Sequence, residues 1–461
     1  MRRLELSGLT GIRFYAALPV YLAHVTMIPG MEGLSGGSLF FDVGVGSVTF
    51  FFVLSGFILT YNYADMFRDG VSGTGYKRFV WDRLTKIYPV HLLTLLLVLP
   101  IAALSPHQPL DWRAVPFHLL LLQCFWPSST PAFAKYLNVP SWSISCEWFF
   151  YLLAPVAMFL VLGKSRRWVP VVVAMGYACG IGFFLWHGQP DDARFYFVSW
   201  FAPSRFVDFL AGVFLARVFL TSSGQKLVGI SGPAQATGIV LLIVAAIYRP
   251  YTTWPLLGGL LYLPGAVLLV VGLVYGRGFF VAHLSRPWLK RLGMATFSLY
   301  LIHVPALRAV RGVCLHLGWE ARSWPASWAV VIALFVVLQT AALLLCYGYE
   351  LPLQRSLRRF LGQPSEVARG VLRPPSHATE YATPRSLFLV ASDNPELVRY
   401  SQGELASEGG SAVLVDRRLV ERRRGPAGGV VFDRRQTDRR TMRRPAQVRV
   451  VVPQRTPDQE G

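Results

Sequence analysis

The feature that most constrains this chain is the recurrence of apolar runs about 20 residues long. At 1.5 Å of rise per residue, each such run forms a helix long enough to cross ~30 Å of hydrocarbon. In lipid, every backbone polar group must be satisfied within the segment, which leaves helices as the available solution for runs of this length. Ten runs qualify: residues 9–28, 43–63, 87–105, 143–162, 168–186, 198–220, 234–249, 256–275, 294–314 and 326–348, the seventh being short. Residues 115–126, VPFHLLLLQCFW, are apolar and bounded by Pro116 and Pro127 but too short to span, so an interfacial or re-entrant helix is expected there. Only 15% of the 461 residues are charged and 53% are hydrophobic, the balance of a polytopic membrane protein rather than a soluble domain. The fold class expected is therefore all-α, with about ten transmembrane helices.

Loop charges orient the spans. With the N-terminus in the cytoplasm, the inner loops receive Arg68, Lys77, Arg78, Arg83 and Lys86, then Lys164, Arg166 and Arg167, then Arg217 and Lys226. Arg277, Arg286, Lys290 and Arg291 follow, and finally Arg355, Arg358 and Arg359. The outer loops keep HGQPDDAR and GWEARSW, which carry little positive charge. Ten spans satisfy every loop under the positive-inside rule, with both termini cytoplasmic, whereas an eleventh crossing at 115–126 would place GKSRRW outside. The net charge of +20 thus belongs to membrane orientation and a tail, and no nucleic-acid partner is expected. The five cysteines form neither a metal spacing nor a disulfide framework, and no metal site is expected. The first run is followed by MIPGME with no small-residue cleavage site, so it is expected to remain as an anchor.

The composition changes near residue 361, which divides the chain into a membrane domain, 1–360, and an Arg-rich cytoplasmic tail, 361–461. Residues 365–461 hold 17 Arg, no Lys and 12 acidic residues. Within them, 385–418 has the pattern of a small strand–helix–strand element, with Asp393 placed to cap the helix. The recurring Arg pairs beyond it suit either a solvated tail or docking to anionic head groups or a protein partner.

Ionisable residues inside apolar runs are costly and mark sites by default. The first run carries Arg13 and His24, about 6 and 22 Å from its inner end, so the two lie about 16 Å apart on one helix. The second carries Ser55-Gly56, small residues suited to close packing. The fourth begins SWSISCEWFFYLLAP, with Ser141 or Ser143 placed to cap it, Trp142 in the aromatic belt, and Glu147 in its first turn at the depth of His24. There Glu147 is placed either to complement the helix dipole or to orient a histidine. The sixth carries Arg205 and Asp208 at i and i+3, a spacing for an intrahelical pair or for the lining of a polar cavity. The ninth carries Ser298, Tyr300 and His303, with Pro305 loosening the helix just beyond. A neutral histidine can take the proton of an attacking hydroxyl, and arginines can hold phosphates. No G-x-S-x-G elbow, Walker loop or H-E-x-x-H motif is present. The residues alone leave acyl or group transfer and proton-coupled transport both open.

Six ordered segments resemble the integral-membrane acyltransferase family 3: LTGIRFYAALPVYLAH, FFVLSGFILTY, RLTKIYPVHLLTLLL, SWSISCEWFFYLLAP, SRFVDFLAGV and LGMATFSLYLIHVPAL, spread over residues 7–350. The resemblance implies ten core helices in the bacterial inner membrane. It also implies transfer of an acyl group, usually acetyl from cytoplasmic acetyl-CoA, to a hydroxyl of an extracytoplasmic glycan or lipid-linked sugar. Acyl-CoA is then a substrate, and no permanently bound cofactor is expected. Arg13 and His24 match the family's R-x10-H pair, whose histidine is its catalytic candidate, and Glu147 matches the carboxylate of its W-S-x-S-x-E motif. Trp148 stands where a second acidic residue commonly follows, and Asp208 where glutamate is more usual. On this reading Arg13, with Arg83 or Lys86, holds the CoA end at the inner mouth. His24 acts at the outer end as general base or transient acyl acceptor, oriented by Glu147. Ser55, Trp142, Arg205, Asp208, Tyr300 and His303 line the cavity.

Overall fold

The computed structural model describes chiefly residues 6–31, 39–103, 111–125, 137–163, 196–220, 229–249, 259–276, 278–320 and 324–361, together with three short strands further on. The chain divides into two compact units, residues 2–372 and residues 373–461 with Met1.

The first unit is helical throughout its described residues: α1 (Ser7–Val25), α2 (Leu39–Phe67), α3 (Gly73–Ala103), α4 (Ala114–Leu119), α5 (Ser141–Leu162), α6 (Ala202–Phe219), α7 (Ser231–Tyr248), α8 (Leu263–Tyr275), α9 (Phe279–Leu284), α10 (Pro287–Met294), α11 (Thr296–His316), α12 (Trp324–Leu345) and α13 (Leu351–Phe360). A π-helical segment, Cys346–Glu350, joins the last two. Among the described residues, seven helices are long and apolar enough to cross a membrane, within Leu39–Phe67, Gly73–Ala103, Ser141–Leu162, Tyr196–Phe219, Ser231–Tyr248, Thr296–His316 and Ala326–Phe360. The 19-residue α1 and the shorter apolar stretch Leu260–Tyr275 coincide with two further expected spans. The expected span at 168–186 lies outside the described residues.

The central helix is α2. It is apolar on every side, as a helix surrounded by protein must be, and buries residues from Asp42 to Phe67 along its whole length. Against it lies α6, at a crossing where no side chain fits. A Cβ on Gly56 would stand 2.0 Å from the Phe209 carbonyl oxygen, and one on Gly212 would stand 2.0 Å from that of Val53. Reciprocal glycines therefore bring the two backbones into contact. One apolar cluster gathers α2, α3, α5 and α6, a second gathers α1, α2 and α8, and a third joins α1, α11 and α12.

Two element boundaries differ from expectation. α3 begins at Gly73 rather than near 87, because the charged stretch 77–86 is helical and turns Phe79, Asp82, Arg83 and Thr85 into the bundle. Its Asp82 and Arg83 are buried by pairing within the protein rather than by solvation. The segment at 115–126 forms only the six-residue α4 before turning through Leu121, whose φ of 58° is unusual for a residue other than glycine. That turn is clamped onto α5: Ser145 Oγ donates to the Leu121 carbonyl at 2.7 Å, and the Cys124 amide donates to Ser145 Oγ at 3.2 Å.

In the second unit three parallel strands, β1 (Ser386–Ala391), β2 (Ser411–Asp416) and β3 (Val448–Val450), form a sheet in the order β2-β1-β3. Ser386 pairs in register with Ser411, and Leu387 with Val448. The residues between the strands, including the expected helix after Asp393, lie outside the described residues. The two compact units divide at 372–373. α13 lies with the helices, its buried Arg358 pairing with Asp82 on α3 at 3.1 Å.

Candidate active site

The site is built along α1, with one group of residues around His24 and another around Arg13. At the first end, His24 Nδ1 lies 2.8 Å from the Val20 carbonyl, one turn back on its own helix. His303 on α11 repeats the arrangement, with Nδ1 3.2 Å from the Leu299 carbonyl. A carbonyl oxygen only accepts, so each Nδ1 carries the hydrogen and each lone pair sits on Nε2. His303 Nε2 then stands 3.3 Å from His24 Nδ1, with ring centroids 5.0 Å apart and planes at 74°. The His24 N–H is thus shared between the Val20 carbonyl and the His303 lone pair, which fixes both the tautomer and the ring orientation. His303 is 1% exposed, while His24 is only half-buried. Tyr300, one turn before His303 on α11, has its ring 5.9 Å from that imidazole, and its hydroxyl lies 2.8 Å from Ser143 Oγ on α5.

Further along α5 stands Glu147. Its Oε2 accepts from the Tyr151 hydroxyl at 3.0 Å, and that phenol also bonds Ser55 on α2. The cations acting on the Glu147 carboxylate are Lys86, Arg13 and Arg83, which brings all three proposed anion holders around one acid. Beyond them Asp82, fully buried, is shared by three partners. Tyr63 donates to Oδ2, Arg358 pairs with Oδ1 at 3.1 Å, and Arg83 stands 3.8 Å away while also donating to the Tyr63 hydroxyl at 3.0 Å. Near Lys86, the buried Glu350 of the π-helical segment accepts from Ser298 Oγ at 2.6 Å. Four cations and three carboxylates therefore gather at the Arg13 end.

The structure rearranges several sequence expectations. Glu147 is not in the first turn of its helix; α5 starts at Ser141, the N-cap is Pro140, and no side chain caps it. Ser141 and Ser143 instead donate back to the carbonyls of Asn138 and Pro140, at 2.7 and 3.1 Å. One and a half turns into the helix, Glu147 is carried away from its start and among the cations. His24 Nδ1 is met by the Val20 carbonyl and by the ring of His303. Arg205 and Asp208 close on each other at 2.8 Å with side chains 3% and 1% exposed. Arg205 also donates to Thr49 Oγ1 on α2 at 2.9 Å and lies over the Phe52 ring at 5.3 Å. This pair is buried within the α2–α6 packing. Trp142 likewise turns into that core, edge-on to Phe52 and beside Trp200. The sequence offers no signal for Asp82, Tyr63, Arg358 and Glu350, which lie at a span end or in a charged loop where polar residues raise no suspicion, nor for Tyr151, a mid-span tyrosine that carries no formal charge. Among the described residues no cluster of His, Cys, Asp and Glu could hold a metal ion.

Residues 6–346 match the family described as "Acyltransferase domain". The acyltransferase MdmB of Streptomyces mycarofaciens is 30% identical over 414 residues, covering 83% of this chain and 98% of that protein. The exopolysaccharide production protein ExoZ of Rhizobium meliloti is 29% identical over 293 residues, covering 61% of this chain and 82% of that protein. The O-acetyltransferase OatA of Staphylococcus aureus is 24% identical over 329 residues, covering 66% of this chain and half of that protein. No solved structure matches the chain. With a match over nearly three quarters of its length and seven described helices long and apolar enough to cross a membrane, the chain belongs to the integral-membrane acyltransferase family 3 and is an enzyme that transfers acyl groups.

Proposed function

We propose that this protein transfers an acyl group, acetyl above all, from cytoplasmic acyl-CoA to a hydroxyl of an extracytoplasmic glycan or lipid-linked sugar, in the bacterial inner membrane. The observation that carries this reading is the His24–His303 pair. Its backbone-fixed tautomers put the His24 lone pair on Nε2, the form a general base needs. His24 Nε2 takes the acceptor's hydroxyl proton as the oxygen attacks the thioester carbon; the C–S bond breaks, and the proton passes on to the departing thiolate. The imidazolium formed in between is stabilised through its Nδ1–H by the Val20 carbonyl and His303 Nε2, the part a carboxylate plays in serine hydrolases.

The opposite end of α1 suits the donor. Arg13, Arg83 and Lys86, gathered around Glu147, offer charge-assisted hydrogen bonds to the CoA phosphates. The loop-charge asymmetry supports an orientation with this end and both termini in the cytoplasm and the His24 end outside. The names of two relatives, an O-acetyltransferase and an exopolysaccharide production protein, support oxygen acetylation and a polysaccharide acceptor. The test is mass analysis of envelope glycans from cells carrying the wild-type protein or His24→Ala at equal membrane abundance. Acylation disappears in the variant; wild-type acylation there would overturn the proposal.

A further inference from the structure

The helix that carries His303 contains a gap in its own hydrogen bonding. Pro305 lies inside α11 and has no amide hydrogen, so the Leu301 carbonyl, four residues back, lacks the helical donor it would otherwise have. A buried carbonyl left in that state is costly. In this structure the donor comes from 163 residues away: the Asn138 side-chain amide reaches the Leu301 oxygen at 3.0 Å. Because a carbonyl only accepts, the contacting atom of Asn138 is its nitrogen. Asn138 is 1% exposed and lies just ahead of α5. Its neighbour Leu137 is held to the same helix, through a hydrogen bond from Arg308 to the Leu137 carbonyl.

The opened turn, Leu301 to Pro305, is the turn that holds His303. On the other side of the contact, α5 sets out from Asn138 and within two turns presents Ser143 to Tyr300. One side-chain amide therefore fixes two elements at once: the kinked turn of α11 that aims His303 at His24, and the start of α5 that meets Tyr300.

We propose that Asn138 is a positioning residue for acyl transfer: it supplies the N–H that Pro305 cannot, and so sets the placement of His303 against His24. The inference rests on the reading of His24 and His303 as the transfer centre. Asn138 touches neither substrate in this scheme, so it acts on turnover rather than on donor binding.

The experiment uses the full-length enzyme in membranes, with kcat and the KM for acyl-CoA measured separately. Asn138→Leu removes the donor without introducing a buried charge. It is expected to lower kcat roughly 10- to 100-fold, the effect of misplacing a catalytic group by about 1 Å, with the acyl-CoA KM unchanged. Pro305→Ala returns a backbone N–H to the Leu301 carbonyl, so adding it to Asn138→Leu restores kcat to that of Pro305→Ala alone. A wild-type kcat for Asn138→Leu, or a loss that Pro305→Ala leaves in place, overturns the inference. Should Pro305→Ala itself be inactive, the comparison moves to Asn138→Gln, which keeps a side-chain N–H: its kcat must exceed that of Asn138→Leu, and equality overturns the inference. His24→Ala separates the two levels of argument. If it retains acylation, the transfer centre itself is misassigned; if it is inactive while Asn138→Leu is not, only the role of Asn138 falls.

Discussion

Two histidines that each spend one ring nitrogen on their own helix define the chemistry available at the His24 end. The bond from Nδ1 to the carbonyl one turn back is local, so it survives modest movements of the bundle, while the 3.3 Å contact between the rings depends on how α1 and α11 meet. His303 is accordingly expected to matter less than His24. His303→Phe, which keeps bulk but offers no lone pair, should lower kcat about 10- to 100-fold at unchanged acyl-CoA KM, whereas His24→Ala should abolish turnover. Equal losses for the two variants would instead make both imidazoles direct participants. Arg13, His24 and His303 were legible in the sequence because an ionisable side chain inside an apolar run is anomalous on its face. The company each one keeps was not legible. Glu147 could be picked out as a residue but its closeness to Arg13, Arg83 and Lys86 could not, since depth along one helix is read by counting while rotation about its axis is not. The contact between Asn138 and Leu301 was beyond reach for a related reason: Pro305 announces an orphaned carbonyl, but nothing local names the donor that satisfies it.

Among the helices, the α2–α6 crossing shows how a polar pair serves architecture. Gly56 and Gly212 bring the backbones together, and Arg205 then bridges Asp208 on its own helix to Thr49 on α2. A buried pair of this kind adds little net stability over well-packed apolar residues, but removing one partner strands the other charge. Arg205→Met alone is therefore expected to cost about 3–5 kcal/mol and to reduce membrane abundance sharply, with Arg205→Met/Asp208→Leu recovering most of it. Thermal unfolding in detergent checks both variants. A single variant that folds normally but binds the acceptor more weakly would return the pair to the substrate cavity, as the sequence first suggested. The i, i+3 spacing gave no means of choosing between these roles, because it is the same whether the pair faces a neighbouring helix or a polar void. What the spacing of apolar runs did give was the bundle itself: nine of the ten expected spans coincide with described helices. The boundaries that moved, as at Gly73, moved because buried ion pairs allow a helix to carry charges that a hydropathy count assigns to loops.

At the scale of the molecule, the family match ends at residue 346, and the helical unit runs only to 372. Between these limits the chain still contributes to the site region. Glu350 bonds Ser298 on α11, and Arg358 shares Asp82 with Arg83, so the π-helical turn and α13 tie the end of the bundle to the proposed donor-binding cations. The parallel sheet that follows belongs to a separate unit with its own strand pairing, β1 joined to both β2 and β3. A functional boundary is thereby placed after α13 rather than before it. Two truncations test the placement at matched membrane abundance. Removal of residues 373–461 should leave kcat and the acyl-CoA KM within about twofold of the full chain, because no group assigned to transfer lies beyond 372. Removal from residue 351 onward should raise the acyl-CoA KM, because Asp82 then loses Arg358 and draws Arg83 more strongly, away from the donor's phosphates. If the shorter truncation already loses turnover at normal abundance, the Arg-rich unit is part of the catalytic cycle, and the division drawn at residue 372 separates folding units without separating functions.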